Sequence, residues 1–115
     1  MTDTHVDYKA LSELREVMED GYPELLDTFL SDSKVRLGEL QKAVDAKALS
    51  DVAHSFKGSA SNMGATHLAG LCQKLESDAN NKSPDEIAQL IAEIGNEFAD
   101  IRPVYEDERQ HATTH

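Results

Sequence analysis

Tryptophan is absent from this chain, and aromatic residues of all kinds make up only 5% of it. The core must therefore come mostly from Leu, Ile, Val, Ala and Met. Proline occurs three times and glycine six times in 115 residues. So few chain-breakers, with that apolar palette, favour helices over sheet. The single cysteine, Cys72, excludes an internal disulfide and implies no oxidising compartment. No apolar run approaches the roughly 20 residues of a membrane-spanning helix. The opening MTDTHVD has neither a basic stretch nor an apolar core, so no signal peptide is expected in it. A soluble cytoplasmic protein is expected, and the length suits one compact domain.

Basic residues are the minority, 11 against 22 acidic, for a formal charge of −11. Such a surface repels nucleic-acid phosphates and anionic lipid, which argues against nucleic acid or membrane as a partner. The charge is uneven. Residues 46–82 carry Lys47, Lys57, Lys74 and Lys82 against Asp51, Glu76 and Asp78, a net of +1, and the rest of the chain holds −12. The middle of the sequence is its least acidic part.

Apolar periodicity is helical nearly throughout. Asp7 can cap a first helix carrying Leu11, Leu14 and Met18, with Gly21 as its stop. Pro23 suits the first turn of a second helix that runs to about Asp45. A third spans about Lys47–Met63 and stops at Gly64, and a fourth runs from about Ala65 to Asn80. Ser83, Pro84 and Glu86 form a capping box before a fifth, with a kink or fraying expected at Pro103. These elements predict an all-α fold, an antiparallel four-helix bundle with a short additional N-terminal helix. The domain is expected over residues 7–109, with 1–6 and 110–115 as flexible ends.

The stretch AHSFKGSASNMGA, residues 53–65, breaks the pattern of a plain core helix. With Leu49 at zero and 100° per residue, Val52, Ala53, Phe56, Ala60 and Met63 cluster about one face near 350°. His54 falls at about 140°, Lys57 at about 80°, Ser61 at about 120° and Gly58 at about 180°. A lone histidine thus points outward beside a lysine and a glycine. Glycine within a helix costs about 1 kcal/mol against alanine. On the outward face it relieves no packing, but it leaves bare backbone one turn from the imidazole. Lys57 puts a cation within reach of any anion on His54. The trio suits an imidazole that carries an anionic group while another protein docks over it, although an exposed histidine alone specifies no chemistry.

His54-Ser-Phe-Lys57-Gly58-Ser59-Ala60-Ser61-Asn-Met63-Gly64-Ala65 closely resembles the motif of the histidine-containing phosphotransfer (HPt) domain family. That motif is His, any residue, a large apolar residue, Lys, Gly, two small residues, two variable ones, an apolar residue, Gly, then Ala or Leu. Leu68, Leu71, Cys72 and the Leu75-Glu76 pair are similar to the family's next helix. Ala60 stands where many members have Ser. The resemblance implies a four-helix bundle with a phosphorylatable histidine exposed on one helix. It implies a free-standing, monomeric shuttle of the kind found in bacteria that takes a phosphoryl group from a receiver-domain aspartate of a hybrid sensor kinase. His54 would then pass it to the aspartate of a response regulator. Gly58 and Ser61 would lie under the docked receiver. No cofactor is expected on this chain, and Mg²⁺ is expected on the partner receiver. No Gly-rich phosphate loop occurs, so ATP is not an expected substrate and no kinase activity is expected.

A neutral imidazole is a good nucleophile near pH 7, because free histidine titrates at about 6.5. His54 lies ten residues before Gly64 and Glu76 twelve after it, so in an antiparallel pair they reach similar height. Glu76 can then accept from the imidazole Nδ1–H and leave Nε2 to attack. The resemblance also implies Gln or Glu in that role at this position. His67 has no zinc-ligand spacing to His54, and His5, His111 and His115 sit in polar ends, so no metal site is expected. Cys72 shares a face with Leu68 and Leu75, which predicts burial. A different class of function, a helical adaptor or acidic decoy that never carries phosphate, is the competing reading.

Overall fold

The computed structural model describes residues 5–113. Among these residues five α-helices follow one another: α1 (Tyr8–Met18), α2 (Tyr22–Lys42), α3 (Ala46–Asn62), α4 (Thr66–Asp78) and α5 (Pro84–Thr113). A 3₁₀ turn, Glu19–Gly21, joins the first two. No strand occurs among the described residues. Helix α2 packs on α3 and α5, and α4 closes the ring by packing on the same two helices, while α1 lies against α2. This is the all-α four-helix bundle with a short leading helix. Among the described residues, no helix is long and apolar enough to cross a membrane.

The helix starts follow local chemistry. The Asp7 carboxylate accepts from the backbone of Lys9 and Ala10, and that of Asp45 from Ala48, satisfying amides that the first turn leaves unpaired. Asp45 therefore begins α3 rather than ending α2. The Ser83–Glu86 capping box forms, with the Glu86 amide on Ser83 Oγ and the Ser83 amide on Glu86 Oε1. One stop differs from expectation, and so does the absence of fraying at Pro103. Helix α1 ends at Met18, because Glu19 turns the chain with φ 48° and ψ −115°, before Gly21 is reached. Helix α5 continues through Pro103 to Thr113 without a break.

Side chains of α2 hold this C-terminal extension. The Tyr22 hydroxyl donates to Glu108 Oε1 at 2.8 Å, and Arg109 Nε lies 3.0 Å from Asp27 Oδ1. Residues 110–113 are thus helical, not a frayed end. The N-terminal boundary also needs correction. Val6 is 1% exposed, and the Asp7 amide donates to the Gly64 carbonyl at 2.7 Å, so residues 5 and 6 belong to the packed domain. Residues 1–4, 114 and 115, with His115 among them, lie outside the described residues.

The turn between α3 and α4 sets the height of one helix against the other. Its Gly64 has φ +75°, the left-handed conformation that glycine adopts without penalty. The Gly64 amide donates to Ser61 O and the Ala65 amide to Ala60 O, the paired bonds of a Schellman C-cap. The Tyr105 hydroxyl, buried in α5, donates to the Met63 carbonyl at 2.7 Å.

Candidate functional site

The periodicity of α3 is realised in three dimensions. Leu49, Ala53, Phe56 and Ala60 are buried, whereas His54, Gly58 and Ser61 are exposed. The His54 side chain is 66% exposed. A Cβ built on Gly58 would meet nothing within 4 Å, so this glycine is not required by packing. It leaves the surface one turn beyond His54 without a side chain.

Helix α4 supplies the second half of the site. Glu76 Oε2 lies 2.9 Å from His54 Nδ1. A carboxylate only accepts, so in the neutral ring Nδ1 carries the proton and Nε2 keeps its lone pair. Glu76 is itself only 25% exposed, and its partial burial between the two helices limits the positions its carboxylate can take. Its other oxygen, Oε1, is 3.7 Å from Lys57 Nζ. That is ion-pair range but too long for a hydrogen bond, and Oε1 is otherwise buried without a hydrogen-bond partner. One carboxylate therefore faces both the imidazole and the ammonium.

Lys57 Nζ donates to Gln73 Oε1 at 2.7 Å, and Gln73 Nε2 donates to Ser77 Oγ at 3.2 Å. Gln73 and Ser77 were not anticipated from the sequence. The register argument that pairs His54 with Glu76 also finds Gln73, since Lys57 stands seven residues before Gly64 and Gln73 nine after it. The structure thus brings His54, Lys57 and Glu76 into one cluster, with Gln73 and Ser77 behind it. Gly58 and Ser61 lie on the same exposed face of α3, outside that hydrogen-bonded group.

Cys72 takes no part. It is fully buried in the core, and burial pushes its thiol up to about 12. His5 and His67, given no role by the sequence, come together on Glu97. They are 62 residues apart in the chain and are joined through a residue of α5, so no local spacing reveals them.

A profile of the Hpt domain matches residues 24–102. The crystal structure of histidine-containing phosphotransfer protein B (HptB) from Pseudomonas aeruginosa superposes with a TM-score of 0.90 at 47% identity, covering 96% of this chain and 98% of that one. A rice protein assigned as a histidine-containing phosphotransfer protein shares the fold, with a TM-score of 0.84 at 21% identity over 96% of this chain and 83% of its own. Multistep phosphorelay regulator 1 of Schizosaccharomyces pombe is 24% identical over 92% of this chain, which spans 40% of that regulator's length. The profile covers well over half the chain, and the exposed histidine sits on the bundle that the family's fold requires: this chain belongs to the Hpt domain family.

Proposed function

We propose that His54 is the phosphoryl carrier of a phosphorelay, charged by a receiver-domain aspartyl phosphate of a hybrid sensor kinase and discharged to the aspartate of a response regulator. The observation that carries this reading is the His54–Glu76 contact at 2.9 Å on a ring that is 66% exposed. It holds the proton on Nδ1 and leaves Nε2 as the nucleophile. Nε2 attacks phosphorus in line, the acyl-phosphate bond breaks, and the donor aspartate leaves as a carboxylate. The second transfer runs the same step backwards with a new carboxylate as nucleophile.

Each neighbour has a part in that chemistry. Glu76 orients the ring and stabilises the positive charge it gains as the N–P bond forms. Lys57 offsets the phosphoryl charge, exchanging its Gln73 contact for a phosphate oxygen. Gly58 gives the receiver clearance to approach, and Ser61 lies under the same docked surface. Phosphoryl transfer is largely positioning and electrostatics, so one nucleophile on a packed helix suffices when the receiver brings Mg²⁺ and its acidic pocket. The chain acts as a monomeric cytoplasmic carrier with no ATP-dependent kinase activity of its own.

The test is transfer from a ³²P-labelled phosphorylated receiver domain to the purified chain. Acid-labile, base-stable label is expected on the wild type and none on His54→Gln. The substitution removes no core contact, so stability is expected to hold within about 0.5 kcal/mol. Label persisting on His54→Gln sinks the assignment. A stable complex that forms without any label favours the adaptor reading instead.

A further inference from the structure

Among the described residues, His5, His67 and Glu97 present imidazole nitrogens and a carboxylate oxygen that all lie within 4.8 Å of one another. They come from the segment ahead of α1, the first turn of α4 and the middle of α5. His5 Nδ1 is 2.7 Å from Glu97 Oε2, and His67 Nε2 is 4.0 Å from Glu97 Oε1. The two rings meet edge to face, with centroids 5.0 Å apart. Glu97 is 4% exposed, whereas His5 and His67 are 45% and 49% exposed. A carboxylate this deep is costly unless a cation faces it, and its ion-pair partners among the described residues are both imidazoles.

We propose that these three side chains bind one late first-row divalent cation, zinc foremost. Two imidazole nitrogens and one carboxylate oxygen form a donor set suited to zinc, with a fourth position left for water. Imidazole also suits nickel and copper, whereas magnesium and calcium call for a shell of oxygens. In a tetrahedral shell with bonds of about 2.1 Å, donor atoms stand about 3.4 Å apart. The His5–Glu97 contact at 2.7 Å must widen and the His67–Glu97 contact at 4.0 Å must close. Both adjustments are under an ångström, and the two imidazole nitrogens, within 4.8 Å of each other, must close by at most about 1.4 Å, which half-exposed side chains about a buried carboxylate can supply. The ion would fasten the N-terminal segment to α4 and α5, using no residue of the His54 cluster.

The test is calorimetric titration of ZnCl₂ into the full, tag-free chain after dialysis against a chelator, with Co²⁺ absorption as a geometric readout. One ion per chain is expected, with the intense visible bands of four-coordinate cobalt. Affinity is expected to fall at least tenfold in both His67→Ala and Glu97→Gln, and to be unchanged in His54→Gln. Circular dichroism establishes that each variant is folded. His67 is surface-exposed, so His67→Ala keeps the test decisive should Glu97→Gln unfold. Absence of saturable one-to-one binding to the wild type overturns the proposal. So does wild-type affinity in either folded variant of the trio, or loss of binding in His54→Gln.

Discussion

The Asp7 amide donates to the Gly64 carbonyl across 2.7 Å, closing the N-terminal segment onto the turn that joins α3 and α4. Tyr105 reaches the same turn from α5, its hydroxyl 2.7 Å from the Met63 carbonyl. The height of His54 against Glu76 is counted from that turn, so two distant segments secure the register of the site.

Gly64 is predicted to tolerate no side chain. A Cβ there would lie 2.9 Å from the Asp7 carbonyl oxygen, on a residue with φ +75°. Backbone atoms cannot swing aside as a flexible side chain can. Gly64→Ala is expected to cost about 1–3 kcal/mol in denaturant unfolding. Tyr105→Phe orphans the buried Met63 carbonyl and is expected to cost about 1–3 kcal/mol. Wild-type unfolding midpoints in both variants would show that the turn needs neither support.

Glu76 is predicted to act on the imidazole tautomer. Imidazole ¹⁵N spectra of the neutral protein are expected to show the Nδ1–H form of His54, moving toward the Nε2–H form in Glu76→Ala. Transfer at saturating receiver should slow in Glu76→Ala, less in Glu76→Gln, with receiver affinity little changed. A merely structural glutamate would leave the tautomer signal where it was. Equal transfer rates for wild type and Glu76→Ala remove the proposed role.

Gly58 and Lys57 are expected to fail in different ways. Because nothing lies within 4 Å of a Cβ at Gly58, Gly58→Ala should raise stability by up to about 1 kcal/mol. Gly58→Gln should stay folded yet weaken both receiver binding and transfer. Lys57→Ala should dock normally but transfer slowly and hold its phosphoryl group for a shorter time. The Lys57 side chain is 31% exposed and pairs at the surface with Gln73 and Glu76, so its stability change should lie within about 1 kcal/mol. Single-turnover transfer with melting curves separates these outcomes, and wild-type transfer by Gly58→Gln would dismiss the docking role.

Stability is predicted to fall in alkali. Burial pushes the Cys72 thiol from 9.0 up to about 12. Burial, and for Tyr22 the hydrogen bond to Glu108, raises both tyrosine phenols above their ordinary 10.0. Each group keeps its proton in the folded state longer than in the unfolded one. Their contribution is complete below pH 9 and is lost as pH rises through the folded values, by about 1.4 kcal/mol per pH unit for each titrating group. Urea midpoints from pH 8 to 11 check this. At pH 8 Cys72 should react with a thiol reagent only as fast as the chain unfolds. Cys72→Ser should soften the early part of the alkaline decline, and a flat profile would contradict the assignment.

What the sequence disclosed and what it hid divide along the distance between partners. The outward angle of His54, the Ser83–Glu86 capping box and the Gly64 stop arise within single helices or turns, where a period or a cap suffices. Glu76 was reachable because α3 and α4 are consecutive and meet at one glycine. The tie of Asp7 to Gly64, the Tyr105 hydroxyl on Met63 and the meeting of His5 and His67 on Glu97 join separate regions of the bundle. No periodicity records those. Glu19 escaped for another reason: it adopts positive φ where Gly21, two residues on, is the more obvious candidate.

The bare backbone at Gly58 and the protruding ring of His54 have a kinetic consequence. Donor and acceptor must each reach the same His54 nitrogen, so the two cannot occupy the site together. On the proposed function, exchange is ping-pong: the first receiver must leave before the second arrives. Relay throughput is then capped by dissociation, and very tight binding to either receiver would slow the signal. Every receiver present competes for the same patch around His54, so their relative abundance apportions the flow among pathways.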